Sequence, residues 1–211
     1  MNQPGYDAAA ALYAEMFPTA YQSTLEQYVV AAFADHVYEH ASGGFVLDIG
    51  CGIGHVTADL ADRGLDVLGV EPSRGMLDIA RREHPGLRFA HDDAALGATA
   101  VEGRALAGVL ARSSLIHLPP REVPAVLAGW AARMEPGGVV LIAGQATDTP
   151  GAVEEFDHAV APAWRWHPDR VSEALSAAGF DELWRTLSRP DAGQRFPVSH
   201  VLARRRGSSD S

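Results

Sequence analysis

The stretch that decides the fold reads Val46-Leu47-Asp48-Ile49-Gly50-Cys51-Gly52-Ile53-Gly54, directly after Phe45. It is a short apolar run that ends in alternating glycines. Such runs are typical of strands in parallel sheets, whose two faces are both covered by helices. Glycine lets a ligand approach the backbone where a Cβ would clash, and a following helix offers free N–H groups. The stretch predicts a strand over 45–49, a turn that can accept a ligand, and a helix.

Strands and helices continue to alternate toward the C-terminus. We expect helices over about 54–63, 73–83, 121–134 and 168–178, and strands over 66–70, 87–91, 106–111 and 138–143. A looser stretch covers 144–167. Alternation of this kind indicates a parallel sheet with right-handed crossovers.

The two ends of the chain complete the predicted fold. Apolar residues at helical spacing predict helices over 6–16 and about 20–41. Near the C-terminus, extended segments over 182–188 and 196–204 are joined so closely that they must pair in antiparallel fashion. We therefore expect an α/β fold, a doubly wound, mostly parallel seven-stranded sheet with a C-terminal antiparallel hairpin.

Charge and cysteine content narrow the class of protein. The net charge of −10 repels phosphate backbones and anionic lipids, so we expect neither nucleic acid nor a membrane as partner. All 17 basic residues are arginine, which excludes Schiff-base and P-loop lysine chemistry. The single Cys51 allows no internal disulfide and no cysteine zinc site. With no signal-like segment, these features predict a soluble cytoplasmic protein that holds no metal.

A carboxylate after the second predicted strand indicates a ribose in the ligand. Glu71 lies twenty-one residues after Gly50, the spacing at which an acid accepts both ribose hydroxyls in nucleotide-type folds. A dinucleotide site would need G-x-G-x-x-G, but His55 stands where its third glycine belongs. Asp48 would also set a carboxylate beside a pyrophosphate, which is costly. We therefore expect a ligand that is cationic near Asp48.

These residues resemble the class I S-adenosylmethionine-dependent methyltransferases, whose first motif is acidic-x-Gly-x-Gly-x-Gly after the first strand. The likeness runs from about 44 to 206 and includes Asp92-Asp93, the Pro136-Gly137-Gly138 turn and the final hairpin. More narrowly, the chain is similar to small bacterial methyltransferases with a loosely defined acceptor. The chain length predicts one domain over 1–206, with a helical cap over 1–43 and an acceptor-side insertion over 144–167, and composition predicts a disordered tail over 207–211.

The resemblance also implies a cofactor site for S-adenosyl-L-methionine. Asp48 and the glycine backbone would hold the methionine end, Glu71 the ribose, and Asp93 with Ala94 the adenine edge. Asp92 remains an alternative to Asp93, because one sequence does not fix the register of that turn. The implied cofactor-binding set is Asp48, Gly50, Cys51, Gly52, Gly54, Glu71, Pro72, Met76, Asp93, Ala94 and Arg112.

The acceptor should meet the carboxyl ends of the fourth and fifth strands, where ligands of open α/β sheets bind. His117 is a candidate general base there, although a packing histidine is the commoner outcome. Arg112 is the second catalytic candidate, because it could orient the acceptor. It could equally bind the cofactor's carboxylate, since a guanidinium binds carboxylates in bidentate fashion. Aromatic residues of the cap and the insertion predict a pocket for a small-molecule acceptor; the residues proposed to bind it are Tyr6, Tyr13, His117, Trp164 and Trp166.

Two other functions fit the same glycine turn. A nicotinamide-dependent oxidoreductase would share Glu71 but is opposed by His55 and Asp48. A cofactor-binding protein without turnover is also open, because the best-defined residues concern the cofactor. The atom that is methylated, the use of a base and the choice between monomer and homodimer are not fixed by the sequence.

Overall fold

The computed structural model describes residues 4–40, 44–98, 106–190 and 194–207. The α-helices are α1 (Pro4–Met16), α2 (Thr24–His40), α3 (His55–Asp62), α4 (Arg74–Glu83), α5 (Val123–Arg133) and α6 (Pro168–Ala177). The strands are β1 (Phe45–Ile49), β2 (Asp66–Glu71), β3 (Arg88–His91), β4 (Leu106–Arg112), β5 (Met134–Gln145), β6 (Val153–Phe156), β7 (Ala163–Trp166), β8 (Phe180–Ser188) and β9 (Val198–Arg205). A short 3₁₀ helix spans Leu115–His117.

The seven-stranded sheet has the order β3-β2-β1-β4-β5-β9-β8 and confirms the predicted fold class. Strands β1 to β5 are parallel, with Ile49 paired to Val70 on one side and to Ala111 on the other. The strand order therefore reverses at β1 and β4. Ligands of such sheets bind in the crevice beyond this reversal, which the glycine turn occupies here.

The C-terminal hairpin is antiparallel, as predicted. Strand β9 lies between β5 and β8 and runs opposite to both. This arrangement gives β5 a partner on each side, so the parallel core of the sheet has no open edge at β5.

Two hydrophobic clusters cover the faces of the sheet. One face packs against α5 and α6, where Trp130, Leu175 and Phe180 are fully buried. The other face packs against α2 and α3, with Phe33 and Leu60 at its centre. Asp48 follows Val46 on this second face, so its carboxylate lies at the edge of the core beside the ligand crevice.

The predicted loose stretch over 144–167 contains a feature that the sequence pattern did not reveal. Strands β6 and β7 form an antiparallel hairpin, from Val153 paired with Trp166 to Phe156 paired with Ala163. A bridge between Ala146 and Trp166 ties this hairpin to the end of β5. The insertion is thus held against the carboxyl edge of the main sheet.

Several predicted boundaries shift by a few residues for local reasons. Helix α2 begins at Thr24, because Glu26 N–H donates to Ser23 Oγ at 3.2 Å and the Glu26 carboxylate accepts from Gln22 N–H at 2.8 Å. A turn in which Glu122 N–H donates to the Pro119 carbonyl delays α5 to Val123. Strand β5 begins at Met134 and β8 at Phe180, both earlier than predicted. Predicted positions 41 and 208–211 lie outside the described residues.

No helix within the described ranges has the length and apolar character needed to cross a membrane. In the same part of the chain, no group of three or more His, Cys, Asp or Glu residues is arranged to hold a metal ion.

Candidate functional site

The three glycines of the turn all have positive φ but serve different purposes. Gly50, Gly52 and Gly54 have φ values of 70°, 56° and 86°. A Cβ on Gly50 would lie 2.3 Å from Ser114 Cβ, and one on Gly54 would lie 2.8 Å from the Phe89 ring. A Cβ on Gly52 would meet no heavy atom within 4 Å. Gly50 and Gly54 therefore allow close packing, whereas Gly52 borders open space that a ligand can fill.

Glu71 ties the turn to the end of β2. One carboxylate oxygen accepts from Gly52 N–H at 3.0 Å and the other from Ser73 N–H at 2.8 Å. A carboxylate has about four lone-pair positions, so these two bonds leave room for two ribose hydroxyls. Burial, with a smaller contribution from Asp48, raises the pKa of Glu71 to about 7.

The buried carboxylate of Asp48 has one hydrogen-bond partner within the described part of the chain. It is 3% exposed and accepts a hydrogen bond from Thr57 Oγ1 at 2.6 Å. Burial raises its pKa to about 6, and the Thr57 hydroxyl and the Arg112 charge only partly offset this. A buried carboxylate without a fixed counter-ion favours a cationic ligand beside it. The methionine ammonium and sulfonium supply such a charge, so this residue fits the expected cofactor.

Cys51 lies between the turn and β2. A Cβ on Gly69 would be 2.8 Å from its Sγ, so the thiol fills the space that this glycine leaves. Burial and the Asp48 and Glu71 carboxylates raise the pKa of the thiol well above its usual value. The side chain is therefore a packing group and not an activated nucleophile.

The N-terminus of α4 forms the wall expected to face adenine. Ser73 caps this helix by accepting from Met76 N–H at 3.2 Å. Asp7 of α1 accepts from Ser73 Oγ at 2.7 Å and from Gly75 N–H at 3.0 Å. Helix α1 thereby lies across α4, and Met76 is buried between them beside Ile53. Pro72 lies one residue before the cap and accepts from a ring nitrogen of His91.

The turn after β3 contains both acidic candidates for the adenine edge. Asp92 accepts from Asp93 N–H and Ala98 N–H, one with each carboxylate oxygen. Asp93 accepts from Ala95 N–H at 2.9 Å. Ala94 presents its carbonyl to Trp130 Nε1–H at 2.8 Å. Both oxygens of Asp92 and one oxygen of Asp93 thus accept from backbone N–H groups of this turn.

Trp130→Phe is expected to lower the free energy of unfolding by about 1–3 kcal/mol, because a buried acceptor at Ala94 loses its donor and a small cavity forms. Since Ala94 lies in the turn expected to face adenine, the affinity for an adenosine ligand should also fall. Denaturant unfolding and isothermal titration measure the two effects. Trp164→Phe is the matched control on the partly exposed hairpin, and an equal loss there would contradict this role of Trp130.

Arg112 is the last residue of β4, and Ser114 lies two residues after it. The Arg112 guanidinium lies 3.4 Å from the Glu26 carboxylate and 5.6 Å from the Tyr21 ring centre. Ser114 Oγ is buried and has no hydrogen-bond partner among the described residues. Ser113 between them has a positive φ of 53° without being glycine, a strained conformation of the kind that clusters at functional sites. The orphaned Ser114 hydroxyl faces the glycine turn, as expected for a group that contacts a ligand.

His117 forms the centre of a hydrogen-bonded line on the acceptor side. Its Nδ1 lies 3.1 Å from the Pro162 carbonyl, and its Nε2 lies 2.9 Å from the Tyr6 hydroxyl. A carbonyl can only accept, so Nδ1 carries the proton and Nε2 accepts from Tyr6. Burial lowers the pKa of His117 and raises the pKa of Tyr6. The ring is thus neutral near pH 7 and its basic nitrogen faces Tyr6.

The other predicted aromatic residues divide into two groups. Tyr13 packs beside Tyr6, with ring centres 6.4 Å apart, and stacks on Phe17 at 4.6 Å. Trp166 borders an apolar cavity that Leu115 and Ile116 after β4 and Gln145 at the end of β5 also line, and Trp164 lies on the same hairpin strand. The ring contacts among the described residues join Tyr6, Tyr13 and His117 but include neither tryptophan.

These features define a Rossmann-like protein with a nucleoside site at the reversal of strand order. Residues 46–138 match the family model described as a methyltransferase domain. The dTDP-3-amino-3,6-dideoxy-alpha-D-glucopyranose N,N-dimethyltransferase of Streptomyces fradiae is 34% identical over 201 residues, covering 90% of this chain and 70% of that enzyme. The chain belongs to the class I S-adenosylmethionine-dependent methyltransferases, and its cofactor is S-adenosylmethionine.

Other similarities are more limited. The biotin biosynthesis bifunctional protein BioHC of Cellvibrio japonicus is 41% identical over 61 residues, which span 29% of this chain and only 12% of that protein. Among solved structures, the 1,6-didemethyltoxoflavin-N1-methyltransferase of Burkholderia thailandensis has a TM-score of 0.67 at 21% identity, covering 98% of this chain and 92% of that one. The [4+2]-cyclase SpnF has a TM-score of 0.74 at 18% identity, covering 97% and 95%. These structures share the fold.

Proposed function

We propose that the protein transfers a methyl group from S-adenosylmethionine to a nitrogen or oxygen atom of a small-molecule acceptor. The single observation that carries this assignment is the Tyr6–His117–Pro162 line, which sets a neutral base at the acceptor side of the cofactor crevice. A nucleophile that carries a proton needs such an acceptor for it, whereas a sulfur or carbon nucleophile of low pKa does not.

The cofactor is proposed to lie along the glycine turn. Asp48 and Ser114 would hold the methionine end, together with the backbone beside Gly52, and Arg112 would face its carboxylate. Glu71 would bind the ribose hydroxyls, and Asp93 with Met76 would contact adenine. The cofactor supplies a methyl group that is already activated by a positively charged sulfur. The chain's own task is then to hold the nucleophile in line and to exclude water.

The proton of the nucleophile has a continuous route into the protein. The acceptor's X–H would donate to Tyr6 Oη while Tyr6 donates its own proton to His117 Nε2. His117 would become an imidazolium, which the Pro162 carbonyl stabilises through the Nδ1–H bond. Tyr6 ends the step unchanged, because it gains one proton as it loses one. The proton leaves to solvent after product release.

The named relatives support a small acceptor. The Streptomyces fradiae enzyme is named for the amine of a nucleotide-linked sugar, and the Burkholderia thailandensis enzyme for a ring nitrogen of a toxoflavin precursor. The net charge of −10 supports a partner other than nucleic acid, and the single cysteine supports a cytoplasmic setting. We propose either a monomer or a homodimer.

Two alternatives are weaker. A cofactor-binding protein without methyl transfer is not favoured, because the similarity to the [4+2]-cyclase SpnF concerns the fold alone. A nicotinamide-dependent oxidoreductase is disfavoured by the buried carboxylate of Asp48 beside the turn, where a pyrophosphate would carry negative charge.

Saturating S-adenosylmethionine is expected to raise the melting temperature by about 5–10 °C, because ligand at a hundredfold excess over its Kd adds about 2.7 kcal/mol to a domain of this size. NAD at the same concentration should give no shift. A shift with NAD alone would contradict the assignment. Methyl transfer is then read by mass spectrometry on a panel of small amines and alcohols, and cofactor binding without any methylated product would favour the turnover-free alternative.

A further inference from the structure

A second imidazole lies beside the first on the acceptor side. His158 belongs to the connection between β6 and β7, and its ring centre lies 4.9 Å from that of His117 and 6.4 Å from that of Tyr6. Phe156 supports the ring edge-on at 5.9 Å. The same connection supplies the Pro162 carbonyl that orients His117. His158 is therefore part of the wall that surrounds the proposed acceptor.

A hydrogen bond within the β6–β7 connection determines which nitrogen of His158 carries the proton. Val160 N–H donates to His158 Nδ1 at 3.3 Å, so Nδ1 presents its lone pair and cannot carry the proton. Burial lowers the pKa of His158, which keeps the ring neutral near pH 7. In a neutral ring the remaining proton must be on Nε2. This nitrogen has no partner among the described residues.

The two imidazoles thus have opposite tautomers. His117 carries its proton on Nδ1 and accepts through Nε2, whereas His158 accepts through Nδ1 and donates through Nε2. Because the Tyr6 hydroxyl already occupies His117 Nε2, the cluster offers one hydrogen-bond acceptor at the Tyr6 hydroxyl oxygen and one donor at His158 Nε2, on rings whose centres lie 6.4 Å apart. A bare amine or alcohol would satisfy the first and leave the second unpaired, which is costly in a half-buried site.

We propose that His158 is a specificity-determining residue that donates from Nε2 to an oxygen of the acceptor next to the methylated atom. The inference rests on the proposed function and names the substrate class of that site. The acceptor carries its reactive N–H or O–H beside a carbon bearing a hydroxyl or carbonyl oxygen, as a vicinal amino alcohol does. Sites built to hydrogen-bond a substrate group discriminate strongly against analogues that lack it.

The test compares trans-2-aminocyclohexanol with cyclohexylamine, which differ only by the neighbouring hydroxyl. In the presence of S-adenosylmethionine, the kcat/KM of the wild-type protein should favour the amino alcohol by about tenfold, the usual effect of one hydrogen bond. His158→Asn keeps an acceptor for Val160 N–H but removes the donor at the Nε2 position, and it should reduce the preference to about twofold or less. His158→Gln places an amide N–H near that position and should retain most of it.

Two controls separate this inference from the proposed function. The Kd for S-adenosylhomocysteine should be equal in wild type and both variants, and ¹⁵N spectra of histidine-labelled protein should show Nε2 protonated in His158 and Nδ1 protonated in His117. Equal kcat/KM for the two amines, a preference that survives in His158→Asn, or the opposite tautomer of His158 would overturn the inference alone. Methylation of neither amine by cofactor-bound protein would overturn it as well. Failure to bind the cofactor would instead overturn the proposed function.

Discussion

Asp48→Asn is expected to stabilise the cofactor-free protein at about pH 8 while weakening its affinity for S-adenosylmethionine. Folding buries the Asp48 carboxylate and raises its pKa from 3.8 to about 6. The folded state therefore holds the proton more tightly than the unfolded state, and stability falls as the pH rises through the interval between these values. Each pKa unit corresponds to about 1.4 kcal/mol, so the ionised carboxylate costs on the order of 3 kcal/mol above that interval.

The asparagine removes this cost and keeps the local hydrogen bond. The Thr57 hydroxyl, which donates to Asp48 at 2.6 Å, can rotate to accept from an amide N–H. The stability of the variant should thus match wild type near pH 4 and exceed it by about 1–3 kcal/mol near pH 8. Burial also raises the pKa of Glu71, to about 7. The variant should therefore still lose stability as the pH rises, but less than wild type does.

Cofactor affinity should move in the opposite direction. The buried charge that destabilises the free protein is the counter-ion of a cationic ligand, so its removal is expected to raise the Kd of S-adenosylmethionine by about 10–100-fold. Denaturant unfolding from pH 4 to 8 and isothermal titration measure the two effects. Asp62→Asn on the exposed end of α3 is the matched control and should leave both unchanged. Equal stability of wild type and Asp48→Asn at both pH values would contradict the raised pKa.

The fold could be predicted because its signals are local. The apolar run ending at Gly50, and the glycines that end helices, identify each parallel strand from its own residues. The β6–β7 hairpin was not predicted, because its residues carry no such local signal. Val153-Glu154-Glu155-Phe156 does not alternate apolar and polar residues, and its pairing with Ala163–Trp166 only becomes apparent in three dimensions.

The cofactor side of the site was more predictable than the acceptor side. Asp48, Glu71 and the glycines lie within one strand-helix-strand unit, so their spacing carries the information. The sequence could not separate the packing role of Gly50 from the ligand-facing role of Gly52, since that depends on Ser114 from a distant segment. Ser114 and His158, which we propose as site residues, were not among the residues predicted from the sequence. A serine after β4 and a histidine in an insertion carry no spacing signal.

The Tyr6–His117 contact joins residues 111 positions apart, and helix α1 brings them together through its bonds to α4. The Pro162 carbonyl fixes the tautomer of His117, and the role as a base that we propose for this ring depends on that tautomer. Both nitrogens of this buried ring have partners, and the proposed role of His117 as a base depends on the Tyr6 hydroxyl passing a proton onward.

His117→Asn is expected to lower kcat by about 10²–10³-fold, the usual contribution of a positioned general base. Asparagine retains an N–H for the Pro162 carbonyl but offers no basic nitrogen to Tyr6. Tyr6→Phe should cost less, because an acceptor's X–H can donate to His117 directly once the hydroxyl is absent. In wild type, kcat should rise with pH around a pKa below the ordinary imidazole value, since burial favours the neutral ring. In His117→Asn this inflection should be lost.

Single-turnover methylation of trans-2-aminocyclohexanol from about pH 5 to 9 measures these effects without interference from product release. His84→Asn, at the far side of the glycine turn beside His55, is the matched control and should keep both the rate and its pH profile. The melting temperature and the Kd for S-adenosylmethionine should remain near wild type in His117→Asn, which separates a lost base from a lost fold. A kcat within about threefold of wild type would instead mean that alignment of the nucleophile supplies the rate and that Tyr6 and His117 only position it.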